Sequence, residues 1–242
     1  MLFFYVLVEG HTWNVASKTA TGSYKYKSTI YRRYIKWLNA GIIDDTYNEI
    51  LDKYLKSKDI NEVHIDSTDI QNKNMPKDHT YKSFKLSKQA FRLTIMGDNN
   101  RAPIDYVINK AHQPDNVLGY NFLINTNVKF KTKTFIFGDK GYHMTKEKTD
   151  NILKTSNLQL IVPKRHYKKK KVYKTKNYKQ KIKRIRHSQQ MKEGLKRRVR
   201  VEHINSNLHR SYKRIDKIHE RSIKTFDGFV KLAMSMILIN KL

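Results

Sequence analysis

Three carboxylates stand where chemistry could be done. Asp66 lies in the middle of Val63-His64-Ile65-Asp66-Ser67-Thr68-Asp69-Ile70, a segment that alternates with period two. Its neighbours want burial, and an ionised Asp there is costly unless it is paired or holds a metal. Asp139 closes the apolar run Thr134–Phe137 within Gly138-Asp139-Lys140-Gly141-Tyr142, where glycines allow close approach of a ligand to the backbone. Glu202 falls on an amphipathic helical stretch in the most basic part of the chain, one turn after Arg198. Two strand carboxylates and a helix carboxylate that converge would suit hard divalent cations, and Mg²⁺ keeps open positions for phosphate. Two such ions about 4 Å apart clamp the attacking and leaving oxygens of a phosphoryl transfer.

Each residue also has an ordinary reading. Asp139 could cap a turn, Glu202 could pair with Arg198 at i,i+4, and Asp66 could be a buried hydrogen-bonded carboxylate. The overall charge shifts the balance. Fifty Lys and Arg face 21 Asp and Glu, a formal net charge of +29 over 242 residues. Such a charge points to a polyanionic partner, nucleic acid before an anionic membrane surface. A ribosomal protein, a regulator and a nuclease all fit the charge alone.

Competing chemistries find little support. The chain has no Cys, which excludes disulfides, a thiol nucleophile and a Cys-based zinc site. The histidine sets His203 and His209, or His11, His112 and His219, match no tight metal spacing. No Gly-x-Ser-x-Gly elbow is present. The apolar opening Met1–Val8 has no basic leader and meets Glu9 at once. No apolar run reaches the roughly 20 residues of a membrane span, so an intracellular protein with no membrane partner is expected.

The elements that must position the carboxylates read as follows. Residues 1–58 are helical. Ser28 is a plausible N-cap, with Tyr31, Tyr34 and Leu38 at helical spacing, Arg32, Arg33 and Lys36 on the other side, and Gly41 as a stop. A second helix from about Asp44 buries Tyr47, Leu51 and Tyr54 or Leu55. The pair suggests a helix-turn-helix-like DNA-binding module. From residue 59 the pattern becomes three strands (63–70, 91–96, 104–108), a helix (115–125), a strand (134–139), a helix (145–155) and a strand (158–162). That succession is the order of a ribonuclease H-like α/β domain, a mixed five-stranded sheet flanked by helices, extending over 59–242. Helices over 191–209 and around Phe226, Phe229, Val230, Ala233 and Ile237 close the chain.

Residues 164–200 form a basic segment, with 18 Lys and Arg against Glu193 alone and Tyr167, Tyr173 and Tyr178 interleaved. Basic groups with interleaved aromatics neutralise phosphates and stack on bases. Lys168, Lys169, Lys170, Lys171, Arg184 and Arg198 are therefore expected DNA contacts, beside Arg32, Arg33 and Lys36.

Ser28-Thr29-Ile30-Tyr31-Arg32-Arg33-Tyr34 with Trp37 and Gly41 resembles a segment of transposases of the bacterial insertion-sequence-five group. Phe4-Tyr5-Val6-Leu7 through Gly10 and Trp13 is similar to another. Asp66-Ser67-Thr68 resembles the group's first catalytic motif and Asp139-Lys140-Gly141-Tyr142 its second. Arg198-x-x-x-Glu202, then Asn207-Leu208 and Lys213-Arg214-Ile215, resembles the third, and Phe226-Asp227-Gly228-Phe229 with Leu232-Ala233 the closing helix. A related signature has a tyrosine where this chain has Leu195 and a lysine where it has His209. The resemblance implies a DDE transposase that cuts DNA and transfers strands of an insertion sequence. Asp66 would bridge two Mg²⁺ (or Mn²⁺) ions, and Asp139 and Glu202 would each hold one. It further implies element ends and target DNA as partners and a homodimer on DNA. Cytoplasm or nucleoid is the expected location in a bacterial host, and nucleus or viral factory otherwise. The chain starts inside the group's first helical region, so the N-terminal module is expected to be truncated. The alternative is a non-catalytic DNA-binding protein, a regulator or an inactive transposase relic, which needs neither the three carboxylates nor the metal.

Overall fold

A computed structural model describes residues 2–76, 81–83, 85–163 and 189–242. Four helices come first: α1 (Leu2–Leu7), α2 (Trp13–Thr21), α3 (Lys27–Asn39) and α4 (Ile42–Ser57). The Thr12 hydroxyl accepts from the Val15 amide at 3.3 Å and starts α2. Gly41, at φ 76, makes the left-handed turn between α3 and α4. Helix α3 begins at Lys27, so Ser28 lies inside it and is not its cap. The buried stripe is Ile30, Tyr34 and Leu38. Tyr31, expected in that stripe, sits one residue off the i, i+4, i+8 face and stays exposed against Trp13, ring centroids 5.3 Å apart.

The sheet follows. Its principal strands are β1 (Glu62–Asn72), β3 (Gln89–Asp98), β4 (Pro103–Lys110), β5 (Thr134–Phe137) and β6 (Leu158–Ile161). Two-residue strands, β2 (Tyr81–Lys82) beside β3 and β7 (Lys217–Ile218) beside β1, extend it. The principal order is β4-β3-β1-β5-β6, with β3 antiparallel to β1 and β4, and β5 and β6 parallel to β1. This is the ribonuclease H-like sheet the sequence pattern implies. Helices α5 (Asp115–Ile124) and α6 (Lys146–Ser156) connect β4 to β5 and β5 to β6.

The C-terminal part carries α7 (Gln189–Arg197), α8 (Val199–Ser211), the short α9 (Lys213–Asp216) and α10 (Ile223–Ile239). A single helix over 191–209 is therefore corrected to two. At Arg198 the ladder tightens, the Val201 amide bonding the Arg198 carbonyl at 3.2 Å, an i→i+3 contact. Residues on both sides of that junction are tied down: Arg197 forks onto the buried Glu62 of β1, and Arg200 donates to Asn99 beyond β3. Helix α8 then lies tight on the sheet because Gly97 has no side chain; a Cβ there would come within 2.2 Å of Ile204 Cδ1.

One apolar core joins both ends of the chain. Tyr34 of α3 stacks on Phe229 of α10 at 4.6 Å, and its hydroxyl donates to the Thr225 carbonyl at 2.6 Å. Tyr47 and Tyr54 of α4, the sheet residues Ile65, Leu93 and Ile95, and Val201 and Ile204 of α8 belong to the same core.

Candidate active site

Alternation along β1 sends successive side chains to opposite faces. His64, Asp66 and Thr68 turn toward α8, where Asp66 meets Asn205 and Thr68 meets His209. Ser67 and Asp69 turn the other way, to Tyr142 and Arg92. Asp66 thus sits at the sheet–helix interface on the central strand.

Asp139 follows β5, which runs parallel to β1 with Val63 opposite Ile136 and His64 opposite Phe137. Continued two residues further, that register brings Asp139 level with Asp66. Asp139 also caps a turn: its Oδ1 accepts from the Gly141 amide at 2.7 Å. The capping reading is thus seen for this residue, and the turn uses only one of its two carboxylate oxygens.

Glu202 is in the first turn of α8 and pairs with Arg198 at 2.7 Å. Glu202 and Asp66 line one cleft of about 350 Å³, together with Ser67, Thr68, Asn205, Ser206, His209 and Arg210. The Asp66 carboxyl is raised to about 6, chiefly by burial, with the negative charges of Asp139 and Glu202 adding to the rise and the Ser67 amide and the Arg198 guanidinium opposing it. Both partner carboxylates are thus close enough to Asp66 to disfavour its charge. Asn205 Nδ2 donates to Asp66 Oδ2 at 2.9 Å. Among the described residues, no three His, Asp or Glu side chains stand as a ready-made metal cage.

A family model, the transposase DDE domain, matches residues 57–239. The chain belongs to that family. The match spans β1, which carries Asp66, the turn after β5, which carries Asp139, and α8, which carries Glu202. No curated protein matches the chain. Among solved structures, a piggyBac transposase synaptic complex with hairpin DNA is similar at 13% identity and TM-score 0.49, over 75% of this chain and 47% of that one. A Mos1 transposase paired-end complex with the left transposon end is similar at 14% identity and TM-score 0.28, over 63% and 54%. The DDE-domain chain spans about half the length of these structures.

DDE transposases generally use divalent metal ions. The carboxylates of Asp66 and Glu202 and the Ser and Thr hydroxyls of the cleft are hard oxygen donors of the kind such ions take, with His209 and Arg210 also lining it. Asn205 adds an observation of its own: its Oδ1 is buried with no hydrogen-bond partner.

The expected DNA contacts divide three ways. Arg32, Arg33 and Lys36 are exposed on α3. Arg198 lies inside the carboxylate site, paired with Glu202. Lys168, Lys169, Lys170, Lys171 and Arg184 lie outside the described residues. No described helix is long and apolar enough to cross a membrane.

Sequence reasoning missed two features. Asn205 carries no sequence signal beyond its i+3 spacing from Glu202, which puts it on the same helix face. His209, a poor zinc candidate by spacing and a departure from the related signature's lysine, lines the cleft, with Nδ1 3.2 Å from Asp216 and Nε2 3.2 Å from Thr68 Oγ1.

Proposed function

We propose that this chain is a DDE transposase of the insertion-sequence-five kind. It cleaves DNA at the ends of an insertion sequence and joins the freed 3′-hydroxyl to target DNA. The observation that carries the reading is the match of residues 57–239 to the transposase DDE domain, together with the cleft that Asp66 and Glu202 both line. Asp139 supports it from the turn that follows β5, the strand paired with β1, where its charge acts on Asp66.

In this reading Asp66, Asp139 and Glu202 would together hold the Mg²⁺ or Mn²⁺ ions. Ions bound there would activate the attacking water or hydroxyl and stabilise the departing oxygen. The chain's part is to hold the oxygens in position and to exclude rearrangement. Strand β1 fixes Asp66, the turn at Gly141 fixes Asp139, and the Glu62–Arg197 and Asn99–Arg200 contacts hold the α7–α8 junction that carries Glu202. Arg198, paired with Glu202 beside the cleft, would offer its guanidinium to the phosphate being cut. Residues 1–58 supply a DNA-reading module through Arg32, Arg33 and Lys36. The basic segment 164–200 grips the backbone, and two copies pair the two element ends. Such an enzyme works wherever the host keeps its DNA.

The test is nicking and strand transfer on cognate ends with Mg²⁺ or Mn²⁺. Asp139→Asn is expected to abolish both and leave DNA binding intact, because the amide removes a ligand without adding a clash. Full activity of that variant would refute the role. Inactivity of the unaltered chain would favour the inactive DNA-binding reading. Replacing Lys168, Lys169, Lys170 and Lys171 by Ala is expected to weaken binding to all sequences alike, and to lower the log–log salt slope by roughly 2–4 units.

A further inference from the structure

Asn205 is 7% exposed, and its two side-chain atoms are treated differently by the protein. Nδ2 donates to Asp66 Oδ2 at 2.9 Å. Oδ1 is buried with no donor within reach. A buried amide oxygen without a partner costs about 1–3 kcal/mol, and only three side-chain atoms among the described residues are in that position. Turning the amide over would not relieve it. The oxygen would then face the Asp66 carboxylate, acceptor against acceptor, and the hydrogen bond would be lost.

The surroundings give the oxygen a use. Asn205 is three residues after Glu202, so the two share a face of α8, and both line the cleft that Asp66 enters. A neutral amide oxygen is a common ligand for hard divalent ions, and it adds no negative charge to a site already crowded with carboxylates.

We infer that Asn205 is a fourth member of the cation site: its Nδ2 holds Asp66 in place, and its Oδ1 donates to the cation shared with Glu202, directly or through a bound water. This rests on the reading of Asp66, Asp139 and Glu202 as the metal-binding triad. The single hydrogen bond to Asp66 sets which carboxylate oxygen remains for the ion, so one side chain both orients a ligand and is one. An Asn at this place also meets a requirement no carboxylate would meet, because a fourth negative charge would repel Asp66 before the ion arrives.

Mn²⁺ binding to the full chain without DNA, followed by electron paramagnetic resonance, separates the possibilities. Each variant is paired with a thermal melt with and without Mn²⁺. Asp66→Asn should lose the site, and an unchanged Mn²⁺ affinity in that variant would overturn the triad reading itself. Given that loss, Asn205→Ala should bind Mn²⁺ about 10–100-fold more weakly, the usual consequence of removing a supporting group at a metal site. Asn205→Asp should bind Mn²⁺ at least as tightly as the unaltered chain, yet melt lower without it, so that its melting temperature rises more on Mn²⁺ addition. A residue that serves only packing would not give opposite responses with and without the ion. If Asn205→Ala binds Mn²⁺ as the unaltered chain does while Asp66→Asn does not, the inference about Asn205 is overturned and the triad stands. If Asn205→Asp loses Mn²⁺ as Ala does, the oxygen has no part in the site and the inference falls as well.

Discussion

Asp66 and Asp69 are three residues apart on one strand and live in opposite circumstances. Asp69, on the side of the sheet away from α8, is fully provided for. Arg92 Nε donates to its Oδ1 at 2.7 Å and Arg92 Nη2 to its Oδ2 at 3.3 Å, and the Ser83 hydroxyl adds a third bond at 2.5 Å. Arg92 is itself buried and also donates to Asp115 and to the Gln113 carbonyl. Asp66 faces α8 with one neutral side-chain donor, Asn205, and two carboxylates that oppose its charge. The fold can satisfy a buried carboxylate completely, because it does so one turn of the pleat away. On the proposed function, the carboxylate left short of positive charge on the central strand is the place kept for a cation.

Exchanging the two residues' fates is the most forceful way to break that comparison. Asp66→Asn should cut strand cleavage by about 10⁴-fold, on the order of 5 kcal/mol of transition-state stabilisation, with the protein still folded by circular dichroism. Asp69→Ala should do the reverse. It leaves a buried guanidinium with Asp115 and the Gln113 carbonyl alone, so unfolding in urea should show a loss of about 3 kcal/mol, while the fraction that remains folded keeps its cleavage activity. Loss of stability in Asp66→Asn, or loss of specific activity in Asp69→Ala, would erase the distinction.

The pH dependence sharpens it. The folded protein raises Asp66 from 3.8 to about 6, so the protonated form favours folding. In metal-free buffer that contribution is fully present below pH 4, and stability is lost as pH rises through 6. Asp66→Asn removes the effect. It should be more stable than the unaltered chain by on the order of 2–3 kcal/mol at pH 8, and equal to it at pH 3.5. Denaturant titrations at the two pH values, with chelator, measure this; an equal difference at both would mean that the charge is not the cause. A smaller effect is expected for Gly97→Ala, whose Cβ would press on Ile204. About 1–3 kcal/mol of stability should go, and cleavage should fall as α8 lifts Glu202 away, with DNA affinity unchanged in a filter-binding assay.

The sheet was legible because alternation marks β1, β3 and β4 directly, and because short apolar runs bounded by turn residues mark β5 and β6. The three candidate carboxylates stand out in the sequence because carboxylates are rare in so basic a chain; Asp66 lies on β1 as expected, whereas β5 ends at Phe137 and leaves Asp139 in the turn beyond it. Other features depended on tertiary contact. The break at Arg198 is invisible in the apolar stripe, which runs on through Leu195, Val201 and Ile204. It comes from the Arg197 and Arg200 contacts with Glu62 and Asn99, both distant in sequence. Tyr31 and Ile30 are adjacent and both apolar enough to be core; only the packing of α3 against α10 decides between them. Asn205 has a helix-surface sequence context, and its burial follows from α8 lying close over Gly97 and Asp66.

The most direct test is anomalous diffraction from Mn²⁺ in crystals of the full chain bound to a cognate DNA end. The expected map shows Mn²⁺ touching Asp66 together with Asp139, and Mn²⁺ touching Asp66 together with Glu202, with the scissile phosphate beside them. Mn²⁺ absent from Asp66, or held only by residues outside the β1–β5–α8 junction, would contradict the assignment of this cleft as the catalytic centre.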